Sequence, residues 1–359
     1  MHSALHTILC ERLDCRFPIL QTGMGWVATP ELVAAVSNAG AFGFLAAATL
    51  RPEAVDAEIA KVKTLTSAPF GVNFLMDAPG AELIVDAILC HGVRAAGYNR
   101  SPRADLIKRL KDGGVVCVPT CGNARHAEKA EQLGADLIIV QGGEGGGHTG
   151  SVPTSLLVSS VVDRVAAPVV AAGGFHDGRG LVAALAFGAV GIAMGTRFLL
   201  TRESPVPQAT RERYLAAQVD DVIVTRQIDG LPQRVVRNEL VARLESSRGA
   251  ARLLGALRSG LAYRRVSGAS LRDLLRAATS LRRSEKLTRA QTIMAANAPM
   301  LARKAMAEGD PVHGYLPGGT VAAVIEDLPS CAELVERIIA EAERTLASLA
   351  DQGKTCTPT

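Results

Sequence analysis

The sequence predicts an α/β fold: a (β/α)8 TIM barrel with a mostly helical cap domain after the eighth strand. Three observations carry that expectation. Eight short apolar runs recur through the first 200 residues, helical patterns lie between them, and glycine-rich turns follow several of them.

The runs are residues 17–21, 41–46, 70–74, 93–97, 115–119, 137–141, 169–172 and 191–194. They are apolar or β-branched on both faces, as strands buried on both sides require. The intervening stretches read as helices. Residues 30–39 begin with Pro30 after Thr29, a capping residue type. Residues 104–111 stop at Gly113-Gly114, and residues 124–133 stop at Gly134. Strand and helix repeat every roughly 20–30 residues, the rhythm of parallel βα units. Eight such units close a barrel more naturally than an open sheet.

The rhythm breaks after Phe198. Pro205 and Pro207 precede a predicted hairpin, 222–227 against 233–236, turning through Asp229-Gly230. Residues 241–310 read as helical. The pattern thus divides the chain into a barrel (1–205), a basic, mostly helical cap (206–318), a C-terminal helix packing back on the barrel (319–350) and a frayed tail (351–359).

Composition limits the function classes. The chain has 359 residues, nearly half of them hydrophobic, so a large core can be buried. Seven cysteines are scattered without a CxxC pair, which argues against a disulfide framework and a metal site. The start lacks a signal-like apolar stretch, and no run of about 20 apolar residues suggests a membrane span. A reducing cytoplasm is the expected compartment. Net charge is +4, yet residues 241–290 hold twelve basic and three acidic side chains. That local excess fits either an anionic partner or a solvated face of amphipathic helices; a small anionic substrate is the expected partner, and nucleic acid is not.

In a (β/α)8 barrel the chemistry sits at the carboxyl ends of the strands. After the first strand come Gly23, Met24, Gly25 and Trp26, the single tryptophan and a candidate substrate contact. After the third comes Asn73, whose amide is both donor and acceptor and suits the edge of a polar ring. After the fifth comes Cys121, read as a small buried residue. After the sixth comes the ten-residue run 141–150, with six glycines around His148. Backbone there can lie against a ligand, and His148 is the best acid/base candidate in the chain. Glu144 is ambiguous between orienting the loop and facing solvent. Gly173-Gly174 follow the seventh strand and Gly195-Thr196 the eighth, the usual phosphate position of this fold. His176 reads as a surface residue.

These turns, through PILQTGMG, GVN, QGGEGGGHTG, VVAAGGF-DG and AMGTRF, resemble the nitronate monooxygenase (2-nitropropane dioxygenase) family across about residues 14–205. The resemblance implies FMN as cofactor. Gly23, Met24, Asn73, Gln141, Gly146, Gly173, Gly174, Ala193, Met194, Gly195 and Thr196 are the implied contacts, and His148 the implied catalytic residue. Beyond residue 205, RYLAA, DGLPQRV, MAANAPM and DLPSCAELV are similar to a subgroup of flavin-dependent CoA-ester oxidoreductases of bacterial steroid ring catabolism.

The expected activity is therefore an FMN-dependent dehydrogenase or reductase of a cyclic, steroid-derived indane-carboxyl-CoA. NAD(P)H or another electron carrier would be a second partner, and homo-oligomerisation is compatible with it. Arg264 and Arg265 are candidate contacts to the CoA phosphates. Two alternatives stand beside this reading: oxidation of alkyl nitronates with O2, and a flavin-free barrel that binds a phosphosugar.

Overall fold

In the computed structural model, residues 2–99, 102–246 and 289–355 are described. The chain forms two compact units: Met1–Gly145 with Thr149–Ser204 and Ile325–Thr359, and Gly146–His148 with Pro205–Val324.

The first unit is a closed parallel barrel. Its strands are β1 (Ile19–Gln21), β2 (Phe42–Ala46), β3 (Gly71–Leu75), β4 (Ala95–Asn99), β5 (Val116–Cys121), β6 (Ile138–Gln141), β8 (Val169–Ala172) and β9 (Ile192–Met194). Closure comes from β1 pairing β9, with Gln21 opposite Met194. All eight expected runs are strands. Seven of the starts shift by a residue or two, and the seventh run begins at Val169 as expected. Gly92 turns with φ +61°, and the Val93 amide bonds Ile88 O at 3.0 Å, so β4 begins only at Ala95.

Inside the barrel, Leu20, Phe42, Phe44, Val118, Ile139 and Val170 pack together. A second cluster, including Val72, Phe74, Ile84, Val85, Ile88 and Leu110, lies between strands and surrounding helices. Burying such side chains stabilises the fold by about 1.5–3 kcal/mol each. Thr29 occupies the cap position of helix Pro30–Asn38, but its hydroxyl makes no capping bond; Pro30 alone marks the start.

The C-terminal helix Cys331–Thr355 belongs to this unit and runs past Asp351, where a frayed tail was expected. It packs on helix Gly178–Ala186. The Gly178 amide donates to Glu341 Oε2 at 2.8 Å.

The second unit contains a four-stranded antiparallel sheet as well as helices. β10 (Val222–Thr225) pairs β11 (Gln233–Val236), which also pairs β12 (Leu316–Pro317) and β7 (Gly147–His148). Helices Gln208–Leu215, Glu239–Ser246 and Arg289–Met306 accompany it. Tyr214 is fully buried and donates its hydroxyl to Pro317 O at 2.9 Å. Among the described residues, no helix is long and apolar enough to cross a membrane.

Candidate active site

The carboxyl ends of the barrel strands gather most of the predicted residues. Gly23 follows β1 so closely against β3 that a side chain there would meet Asn73 Cβ at 2.4 Å. A Cβ on Gly195 would lie 3.3 Å from Met24 Sδ and 3.2 Å from Thr22 Oγ1. Gly23, Met24, Asn73 and Gly195 therefore share one part of this face. Gln141 ends β6 and lies opposite Ala172, the residue before Gly173-Gly174. Gly173 has φ +99°, and a Cβ there would stand 2.9 Å from Gly145 N. Ala193 and Met194 are buried in β9, and Thr196 opens the four-residue helix Thr196–Leu199.

Glu144 orients this loop. Its Oε2 accepts from the Thr154 amide at 2.8 Å and from the Thr154 hydroxyl at 2.6 Å. Both bonds are charge-assisted, and they tie the glycine run to helix Thr154–Val162.

Three polar atoms at this end of the barrel are buried without a hydrogen-bond partner among the described residues: Gln21 Oε1, Asn99 Oδ1 and His176 Nδ1. Buried polar groups are normally paired. A flat heteroaromatic ring with donor and acceptor edges, lying against glycine backbone, suits such atoms, so the residues present fit a flavin. His176 corrects the sequence expectation: it is half-buried, beside the Asp177 cap of helix Gly178–Ala186. Burial lowers its pKa, against the pull of Asp177 and with the help of Arg197. Cys121 ends β5 buried, with its thiol pushed up to about 12 by desolvation, so it is no thiolate nucleophile. Trp26 holds φ +65°, a left-handed backbone uncommon for a bulky residue, and its amide bonds Thr49 Oγ1 at 3.3 Å.

His148 and Gly146 belong to the second unit. β7 pairs β11 so that His148 lies opposite Gln233. His148 Nε2 stands 2.6 Å from Asp229 Oδ2, and Gln233 Nε2 donates to the same oxygen at 2.5 Å. Leu231 N donates to Asp229 Oδ1 at 3.0 Å. Asp229 is 5% exposed while the His148 side chain is 54% exposed. Burial works to raise the Asp229 pKa. The hydrogen bond and charge of His148, with the Leu231 and Gln233 bonds, outweigh it, and the net shift is downward. The pair is a buried carboxylate holding an accessible imidazole, a proton-transfer arrangement.

The sequence singles out His148 but not its neighbours Asp229 and Gln233, the former reading as a turn residue. The only local signal was the DGLPQRV stretch itself. Arg264 and Arg265 lie outside the described residues.

A closed (β/α)8 barrel whose strand ends carry these turns belongs to the class of (β/α)8 barrels with a ligand site at the carboxyl ends of the strands. The family model described as nitronate monooxygenase matches residues 6–84 and 81–341, and the chain belongs to that family. Membership brings a flavin as the cofactor. The chain is 49% identical over 341 residues to the (3aS,4S,5R,7aS)-5-hydroxy-7a-methyl-1-oxo-octahydro-1H-indene-4-carboxyl-CoA dehydrogenase of Mycobacterium tuberculosis, covering 94% of this chain and 96% of that protein. It is 46% identical over 347 residues to the protein of the same name from Rhodococcus jostii, covering 97% and 98%. It is 31% identical over 287 residues to a probable nitronate monooxygenase of Staphylococcus saprophyticus, covering 67% and 81%. Among solved structures, FabK from Thermotoga maritima superposes with a TM-score of 0.78 at 29% identity, over 97% of this chain and 99% of that one.

Proposed function

We propose that the protein is a cytoplasmic FMN-dependent oxidoreductase acting on a cyclic acyl-CoA thioester, a steroid-derived indane-carboxyl-CoA. The extent of the likeness carries this reading. The two CoA-ester dehydrogenases match 94% and 97% of the chain, second unit included, whereas the staphylococcal nitronate monooxygenase matches 67% of it at lower identity.

When bound, the flavin supplies the two-electron chemistry. The turns at Gly23-Met24, Gly173-Gly174 and Ala193–Thr196 hold FMN against backbone, with Asn73 and Gln141 offering side-chain amides; Gly146 is a further contact. Trp26 lines the substrate side. A thioester acidifies the proton on its α-carbon, and His148 takes that proton in the dehydrogenase direction or returns it in the reductase direction. Asp229 lies beside that imidazole, its Oδ2 2.6 Å from His148 Nε2. NAD(P)H or another carrier is the second redox partner.

The test is anaerobic mixing of the yellow holoenzyme with a bicyclic steroid-derived CoA ester or with propionate-3-nitronate. Bleaching of the flavin band by the CoA ester alone is expected. Bleaching by the nitronate alone would replace this reading with nitronate oxidation.

A further inference from the structure

We propose that Asp229 is the positioning residue that sets the tautomer of His148, and thereby makes Nδ1 the atom that exchanges the proton. This deepens the proposed function and rests on its assignment of His148 to proton transfer.

The argument starts from the carboxylate. Asp229 is buried, and a charge there is tolerated only if it is fully bonded. Its two oxygens accept from Leu231 N, Gln233 Nε2 and His148 Nε2. The Leu231 and Gln233 bonds fix the carboxylate from within its own hairpin, so its direction does not depend on the histidine. An ionised carboxylate only accepts, so the 2.6 Å contact requires the hydrogen on Nε2 of the imidazole. The reverse tautomer would set a lone pair against the carboxylate. Gln233 cannot replace it as the orienting group, because its Nε2 stands 3.4 Å from His148 Nε2 and is itself a donor.

Among the described residues, two titratable groups interact with Asp229: His148, and the buried Tyr315, whose hydroxyl is pushed up first by burial and then by the Asp229 charge. Tyr315 stays neutral, so the negative charge facing the imidazole is that of Asp229. When His148 takes a proton, that charge stabilises the cation without side-chain rearrangement. The strand pairing of His148 with Gln233 supplies the backbone half of the positioning.

The test uses the FMN-loaded full chain labelled with 15N-histidine, with H148Q assigning the resonance. The wild-type ring is expected in the Nε2–H form near neutral pH. Asp229→Asn, which keeps shape and removes charge, is expected to shift His148 towards the Nδ1–H form. It should also lower kcat about 100-fold or more, with KM within about threefold and flavin content unchanged. The acid limb of the kcat/KM profile should move to lower pH. A wild-type ring in the Nδ1–H form overturns the proposal without any variant. So does a D229N enzyme that keeps its tautomer, or its kcat within threefold. The resonances are read without substrate: if the CoA ester is not turned over, the functional reading fails, while the tautomer in wild type and D229N still decides the role of Asp229.

Discussion

Glu144 and Thr154 are joined twice, amide and hydroxyl of the threonine donating to one carboxylate oxygen at 2.8 and 2.6 Å. Thr154 is buried, so the two donors have no ready access to water if the carboxylate is removed. Glu144→Ala is expected to cost about 2 kcal/mol in urea denaturation, the range for charged hydrogen-bond partners. Glu144→Gln keeps an acceptor and should cost about half that. No measurable loss in Glu144→Ala would show that the loop is held by something other than this carboxylate.

Gly173 combines a positive φ with a tight approach to Gly145 N. Gly173→Ala is expected to introduce about 1–2 kcal/mol of backbone strain and to push the two turns apart. The readout is flavin retention. The ratio of absorbance near 450 nm to protein absorbance should fall after purification, while circular dichroism keeps its wild-type shape.

Arg197 is 5% exposed and donates to Asp327 Oδ1 at 2.9 Å, to Asp327 O and to Leu200 O, while Arg337 donates to Asp327 Oδ2 at 2.6 Å. Burial works to raise the Asp327 pKa, and the bonds and charges of Arg337 and Arg197 outweigh it, leaving it lowered. A carboxyl lowered in the folded state stabilises fully above its unfolded pKa, and that stabilisation is lost as pH falls through the lowered native value. Asp229 has the same sign. The melting temperature should therefore decline below about pH 4, the ordinary carboxylate range. Asp327→Asn should flatten part of that decline and cost about 1 kcal/mol at neutral pH, a small figure because Asp327 is 45% exposed and screened.

Trp26 pays for its left-handed backbone with its position in the turn after β1. Trp26→Gly relieves the dihedral and removes the ring. Melting temperature is expected to change little, because the relief offsets lost packing. The KM for the CoA ester should rise about tenfold, near 1.4 kcal/mol. A variant with unchanged KM and a marked drop in melting temperature would assign the indole to packing alone.

The barrel was legible because its signals are local. A buried parallel strand must be apolar on both faces, and a helix must end where its periodicity meets a glycine, so residues such as 169–172 and Gly134 mark their own roles. The glycine run around His148 was legible for the same reason. The caps were less so: Thr29 is the right residue type at the right place, yet its hydroxyl makes no capping bond. Capping residue types favour a helix start without guaranteeing the bond.

The sequence by itself determined the order of strands, the turns at their carboxyl ends and the histidine. Tertiary structure alone decided what that histidine touches. Asp229 is 81 residues away, and it meets His148 only because β7 pairs β11 with His148 opposite Gln233. A one-residue slip would turn the imidazole to the other face of the sheet. The Arg197–Asp327 bond, across 130 residues, is of the same kind. Local propensity fixes which element forms, and its range is a few residues. A contact between distant charges depends on register and packing, which exist only once the whole chain has folded.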